Sequence, residues 1–254
     1  MNFTLGLGQI LIEGGACEAN LRRAEGALRE LARQGADLVL LPEAMNLGWT
    51  HPSCHTAAEP IPGGVTCQLL QRLAIEHGIH LVAGIVERDM ATIYNSAVII
   101  SPSGEFILRH RKIHELEIAH DCYSRGTSLR AVDTPLGRLG LMICADGFAD
   151  QLAISRALAQ MGAEIILSPC AWAVQPEFDQ LANPYGQIWL DSYAPVCSES
   201  NLWIAGCSNV GPIEAGPWKG HRCIGNSLVM GPAGKPTLTG PYNESSALVL
   251  HVRS

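Results

Sequence analysis

The chain has 254 residues, 47% hydrophobic and 16% charged, enough apolar material for one large α/β core and with no sign of disorder. A formal charge of −7 without any basic stripe argues against nucleic acid or an anionic membrane as partner. The first ten residues alternate like a strand rather than like a signal peptide, and no apolar run nears the ~20 residues that span a bilayer.

Helix and strand signals alternate almost to the end. Residues 3–10 read as a strand and 17–34 as an amphipathic helix with Leu21, Ala24, Leu28 and Leu31 on one face. Gly35 closes that helix, strand 37–41 follows, and Pro42-Glu43 breaks it. A loop rich in Pro and His leads to helix 65–77. Strands 80–87 and 94–100 come next, then the turn Ser101-Pro102-Ser103-Gly104 into strand 105–111, which runs into Lys112. A short helix is expected over 115–122, followed by a hairpin of 131–134 with 139–143 that ends at Cys144. Helix 151–161, strand 164–167, helix 187–198 and strands 202–207, 227–230 and 247–252 complete the order. Residues 34–42 echo residues 161–169: each is a helix end, a Gly stop, a buried strand and a Pro break. Two related halves packed sheet on sheet would give a four-layer αββα sandwich, here a single domain over 1–254.

Nine cysteines, an odd number without a CxxC, point to a reducing, cytoplasmic compartment in which most pack as small hydrophobes. Cys144 differs from these because it sits at a strand's carboxyl end, where ligands of α/β sheets collect. Glu43 and Lys112 follow two other strands. A thiol, a carboxylate and an ammonium at three strand ends are the parts of an activated-nucleophile site. On the residues alone, Glu43 equally fits a helix-start carboxylate and Lys112 a solvated strand-end charge.

Leu40-Leu41-Pro42-Glu43, Arg109-His110-Arg111-Lys112-Ile113-His114 and the run from Gly140 to Phe148 resemble the three signature segments of the nitrilase superfamily of carbon–nitrogen hydrolases, in the family's order. Arg156, the run from Gly162 to Pro169, Trp172, Glu199-Ser200-Asn201 and Ser208-Asn209-Val210-Gly211 resemble its later segments, so the resemblance covers nearly the whole chain. It implies the αββα sandwich, pairing into a homodimer or higher homo-oligomer, and a Glu43–Lys112–Cys144 site that needs no metal or organic cofactor.

The implied chemistry is hydrolysis of a small-molecule amide, with nitriles and N-carbamoyl compounds as alternatives. A free thiol has a pKa near ~8.5, so a base must take its proton during attack. Glu43 is that base. Lys112 and the backbone N–H of Ala145 would hold the oxyanion.

Two positions depart from the family pattern. A second glutamate usually stands seven residues beyond the lysine, where this chain has Ala119; Glu115, one helical turn earlier on the expected helix, is the favoured substitute over Glu117 and Asp121. After the nucleophile stands the small Ala145 instead of a bulky residue. Phe148 and Trp172 are expected to line the pocket, although either also fits core. Arg125, Arg130 and Arg222 are candidate clamps for a carboxylate-bearing substrate.

His51-Pro52-Ser53-Cys54-His55 has metal-ligand residue types but no partner pair at zinc spacing, so it is read as a loop at the pocket rim and no metal is expected. Gly231 to Thr237 lacks the Ser or Thr of a phosphate loop and is a hairpin turn. Cys170, at another strand end, fits a packed small residue better than a member of the cleft of Cys144, though both readings stand. Two readings compete with the hydrolase: a protein that has lost turnover and serves interaction or regulation, and a redox pair of Cys144 with Cys170.

Overall fold

Leu38 and Leu40 face one apolar core while Val39 and Leu41 face another. The same split separates Val82 from Leu81 and Ala83, and Ala97 and Ile99 from Val98 and Ile100. Side chains of a strand point alternately to its two faces, so a sheet apolar on both faces must be covered on both.

The computed structural model describes residues 1–253. In chain order the strands and helices are β1 (Asn2–Gln9), α1 (Cys17–Arg33), β2 (Leu38–Leu40), α2 (Cys54–Ala57), α3 (Val65–His77), β3 (His80–Asp89), β4 (Thr92–Ile100) and β5 (Phe106–Arg111). The second half follows with β6 (Ala131–Thr134), β7 (Gly137–Leu141), α4 (Ala153–Gln160), β8 (Ile165–Cys170), β9 (Ala173–Val174), α5 (Gly186–Ser200) and β10 (Trp203–Ser208). The last strands are β11 (Val210–Pro212), β12 (Arg222–Ile224), β13 (Leu228–Met230), β14 (Pro236–Thr239) and β15 (Ser246–Arg253).

Two six-stranded mixed sheets form, in the orders β15-β1-β2-β3-β4-β5 and β14-β13-β10-β8-β7-β6. Their inner faces pack on each other through Leu5, Leu7, Leu40 and Val82 against Leu141, Leu167, Ala205 and their neighbours. Helices α1 and α3 cover the outer face of the first sheet with Leu21, Ala24, Leu28, Leu31, Leu70 and Leu73. On the second sheet's side, α4 and α5 supply Ile154, Leu158, Trp189, Tyr193 and Val196. This is the expected αββα sandwich. A small antiparallel sheet, β11-β12-β9, was not legible in the sequence.

Three expectations are corrected. The helix expected over 115–122 is a single 3-10 turn at Glu117–Ala119. No α-helix runs through from 115 because Leu116 is extended, at φ −65° and ψ 146°. Strand β7 ends at Leu141, since the Ile143 N–H turns to Asp146 Oδ2 at 3.0 Å. Strand β8 runs on to Cys170 through Pro169, a residue tolerated there because the pairing with β7 has already ended at Leu167.

The internal echo has a structural meaning. Its two strands, β2 and β8, are central in their own sheets, and their Pro breaks meet across the sandwich, where the Glu43 N–H donates to the Cys170 carbonyl at 3.2 Å.

Candidate active site

Glu43 is placed by the strand beside it. Leu41 N–H donates to Val82 O at 2.8 Å, Gly84 N–H to Pro42 O at 3.0 Å, and Met45 N–H to Gly84 O at 2.9 Å. The backbone of residues 41–45 therefore lies against β3. Gly84 permits this approach: a Cβ there would stand 2.5 Å from Glu43 Cα and 2.7 Å from Pro42 O.

Lys112 leaves the end of β5 with its N–H on Asn95 O at 2.8 Å. Its Nζ donates to Glu43 Oε1 at 2.7 Å, and Asn95 Nδ2 donates to the same oxygen at 2.6 Å. Glu115 Oε2 lies 3.6 Å from Nζ. Glu43 and Lys112 are each 1% exposed, so Lys112 is not a solvated charge, and no helix starts at Glu43, the next being α2 at Cys54. Burial by itself would lower the Lys112 pKa, but the carboxylates of Glu115 and Glu43 outweigh it and hold the ammonium above its usual range. Burial raises the Glu115 carboxyl to about 8 despite the nearby ammonium. One cation beside two carboxylates thus leaves Glu115 predominantly protonated at neutral pH.

Cys144 opens a 3-10 turn, Cys144–Gly147, at a left-handed φ of 42° that few non-glycine residues adopt. Its N–H donates to Ser168 Oγ at 3.1 Å. Burial pushes the thiol well above its ordinary value, and a hydrogen bond with Cys170 and the Glu43 charge add to that, while Lys112 opposes it. The resting sulfur is therefore a thiol. Cys170 is fully buried in the core, and its Sγ lies 3.4 Å from the same Ser168 Oγ that the Cys144 N–H meets.

Asp146 ties the turn to the lysine. Its Oδ2 accepts from Ile143 N–H and contacts His110 Nε2 at 2.8 Å; its Oδ1 accepts from Ile113 N–H at 3.1 Å and His114 N–H at 2.8 Å. Burial would raise the Asp146 pKa, but the His110 hydrogen bond and the backbone donors keep it below the ordinary range.

Of the three carboxylates weighed for the second acidic position, Glu115 is buried against Lys112 whereas Glu117 and Asp121 are exposed. Ala145 is buried beside Cys144. Trp172 is buried in a stack with Trp189, ring centroids 4.5 Å apart, and Phe148 meets Trp189 edge-on at 5.2 Å. Arg125, Arg130 and Arg222 are exposed. The rim loop reaches the site through Trp49, whose ring centroid lies 5.8 Å from Lys112 Nζ. Sequence reasoning missed Asn95, His110, Asp146 and Ser168. Asn95 had a signal, a polar residue inside an apolar strand; His110 and Asp146 stand within motifs whose other members drew the attention.

Residues 5–252 match the carbon-nitrogen hydrolase family. The chain is 32% identical over 219 residues to a nitrilase of Pyrococcus abyssi, covering 85% of this chain and 76% of that protein. It is 34% identical over 223 residues to the omega-amidase NIT2-A of Xenopus laevis, covering 80% of this chain and 78% of the relative. Its fold superimposes on a carbon-nitrogen hydrolase from Helicobacter pylori with a TM-score of 0.86 at 20% identity, over 100% of this chain and 90% of that one. An amidase from Nesterenkonia sp. gives 0.83 at 21% identity, over 99% and 93%. The chain belongs to the carbon-nitrogen hydrolase family of the nitrilase superfamily.

Proposed function

We propose that this enzyme hydrolyses a small linear amide through a thioester on Cys144. The observation that carries the reading is the buried contact of Lys112 with Glu43 beside a buried thiol. Because the resting sulfur is protonated, attack requires a base, and Glu43 Oε2 is a buried acceptor without a hydrogen-bond partner. Glu43 takes the thiol proton as sulfur bonds to the amide carbon. Lys112 and the Ala145 N–H stabilise the oxyanion. The C–N bond then breaks, Glu43 returns the proton to the departing nitrogen, and ammonia or an amine leaves. Water attacks the thioester, Glu43 takes one of its protons, and the carboxylic acid departs as the proton returns to sulfur. Glu115, whose oxygens are buried and lack hydrogen bonds, orients the substrate amide and the attacking water. Phe148 and, behind it, the Trp172 stack supply an apolar wall.

The omega-amidase relatives support an amide over a nitrile as substrate. The nine free thiols fit a reducing cytoplasmic setting, and the family resemblance supports a homodimer. No helix among the described residues is long and apolar enough to cross a membrane. The test is an ammonia-release screen over simple amides, nitriles and carbamoyl compounds with Cys144→Ala as blank, alongside intact-mass detection of an acyl adduct. Amide turnover with an adduct on Cys144 supports the reading. No adduct across a broad amide panel overturns it in favour of an interaction protein, and a Cys144–Cys170 bridge under oxidant without turnover favours a redox protein.

A further inference from the structure

We propose that Cys54, His55 and Cys122 form a binding site for a thiophilic divalent cation, zinc being the best match, which clips together the two segments that frame Lys112. The thiol sulfurs and an imidazole nitrogen of these residues all lie within 4.8 Å of one another, the only such cluster of three among the described residues. Tetrahedral zinc with bonds of about 2.3 Å to sulfur and about 2.0 Å to nitrogen sets its ligand atoms roughly 3.5–3.8 Å apart. The three groups therefore need to close by no more than about an ångström. Cys54 and Cys122 are buried and His55 is exposed, so the protein would supply three ligands from one side and leave the fourth position to solvent.

The two sulfurs come from segments far apart in sequence and are held by shared contacts. Thr50 N–H donates to Tyr123 Oη at 3.0 Å, and Cys122 Sγ donates to Thr50 O at 3.7 Å. Trp49, Cys54, Ala58, Ala119, Cys122 and Tyr123 belong to one apolar cluster. Arg88 fixes the short helix α2 from behind, donating to the carbonyls of His55 at 2.6 Å and Cys54 at 3.4 Å. Metal binding displaces the thiol protons to solvent, forms two metal–sulfur bonds and one metal–nitrogen bond, and leaves the cation's oxidation state unchanged. Affinity must consequently rise with pH.

One bound ion would join the segment carrying Trp49 to the segment carrying Glu115, the two walls that meet Lys112. The sequence spacing concealed this because Cys122 lies far from the His51–His55 loop.

The experiment titrates the full chain, carrying Cys144→Ala to remove the catalytic thiol as a competitor, with cobalt(II) and then zinc. Cobalt should give a saturable thiolate-to-metal charge-transfer band with visible bands of tetrahedral intensity, at one ion per chain, and zinc should displace it. The band should vanish in Cys122→Ser and Cys54→Ser. In His55→Ala, an exposed position that does not endanger folding, affinity should fall about 10–100-fold. Zinc should raise the melting temperature of the parent and leave that of His55→Ala unchanged at the same concentration. A band that survives both cysteine substitutions, or no saturable cobalt binding by the parent, overturns the proposal. So does a mass lower by the pair of thiol hydrogens with no cobalt band, which would make the pair a disulfide instead. These readouts do not depend on amide turnover.

Discussion

His110 Nε2 and Asp146 Oδ2 stand 2.8 Å apart with both side chains buried, and this contact joins the strand that delivers Lys112 to the turn that delivers Cys144. Asp146 also accepts backbone N–H groups from both sides of the junction, at Ile143, Ile113 and His114. The relative position of the Cys144 thiol and the Lys112 ammonium therefore rests on one carboxylate. Asp146→Asn keeps the shape but removes the charge and one acceptor, so folding should lose about 1.5–3 kcal/mol per charged hydrogen bond left unmade. Turnover should fall chiefly in kcat, with KM little changed, because the positioning of reacting groups is lost rather than substrate binding. An unchanged kcat would refute the role.

Acid sensitivity follows from the same residue. Its folded pKa lies below the ordinary 3.8, so its contribution to stability is present above that value and is lost as pH falls through the lower, folded one. Denaturant melts between pH 5 and about 2 should show this loss in the parent and a flatter curve in Asp146→Asn.

Glu115 behaves in the opposite sense. Burial raises its carboxyl to about 8, so below the ordinary carboxylate value it carries no penalty, and stability declines as pH climbs from there toward about 8. Ionisation above about 8 also adds a negative charge beside Lys112, which in the proposed mechanism weakens its hold on the oxyanion. The rate should therefore fall on the alkaline side with a midpoint near 8. Glu115→Gln mimics the neutral carboxyl: activity at pH 7 should stay within about tenfold of the parent and the alkaline fall should flatten. A pH profile identical to the parent's would exclude Glu115 from the site.

Gly84 offers a geometric test. Gly84→Ala places a methyl 2.5 Å from Glu43 Cα, against backbone that cannot swing away. The backbone at Glu43 must shift, which should cost about 1–3 kcal/mol of stability and roughly 10²-fold in kcat/KM. Unimpaired kinetics in the folded variant would show that Glu43 tolerates displacement.

Removing one member of the buried ion pair should be worse for folding than removing both charges. Lys112→Met strands the Glu43 carboxylate in the interior, a change that typically costs about 3–5 kcal/mol. Combining it with Glu43→Gln should restore most of the denaturation midpoint while leaving the enzyme inactive. If the double variant is no more stable than Lys112→Met, the pair is not the electrostatic unit described here.

Much of this architecture was written locally. Unbroken apolar runs at residues 38–41, 81–83 and 97–100 announce strands covered on both faces, and the repeated helix–Gly–strand–Pro unit announces two halves. The motif ends put Glu43, Lys112 and Cys144 at strand termini because a break after an apolar run is a short-range signal. Helical phasing already favoured Glu115 over Glu117 and Asp121, but the helix it assumed did not form; that Glu115 is buried against Lys112 depends on what lies opposite it. Tertiary structure alone brought Asn95 to Glu43, Asp146 to His110 and Cys122 to Cys54, pairs separated by 52, 36 and 68 positions along the chain. Periodicity reports which face of an element is apolar, but the partner of a buried polar group is settled by how sheets and loops close on one another.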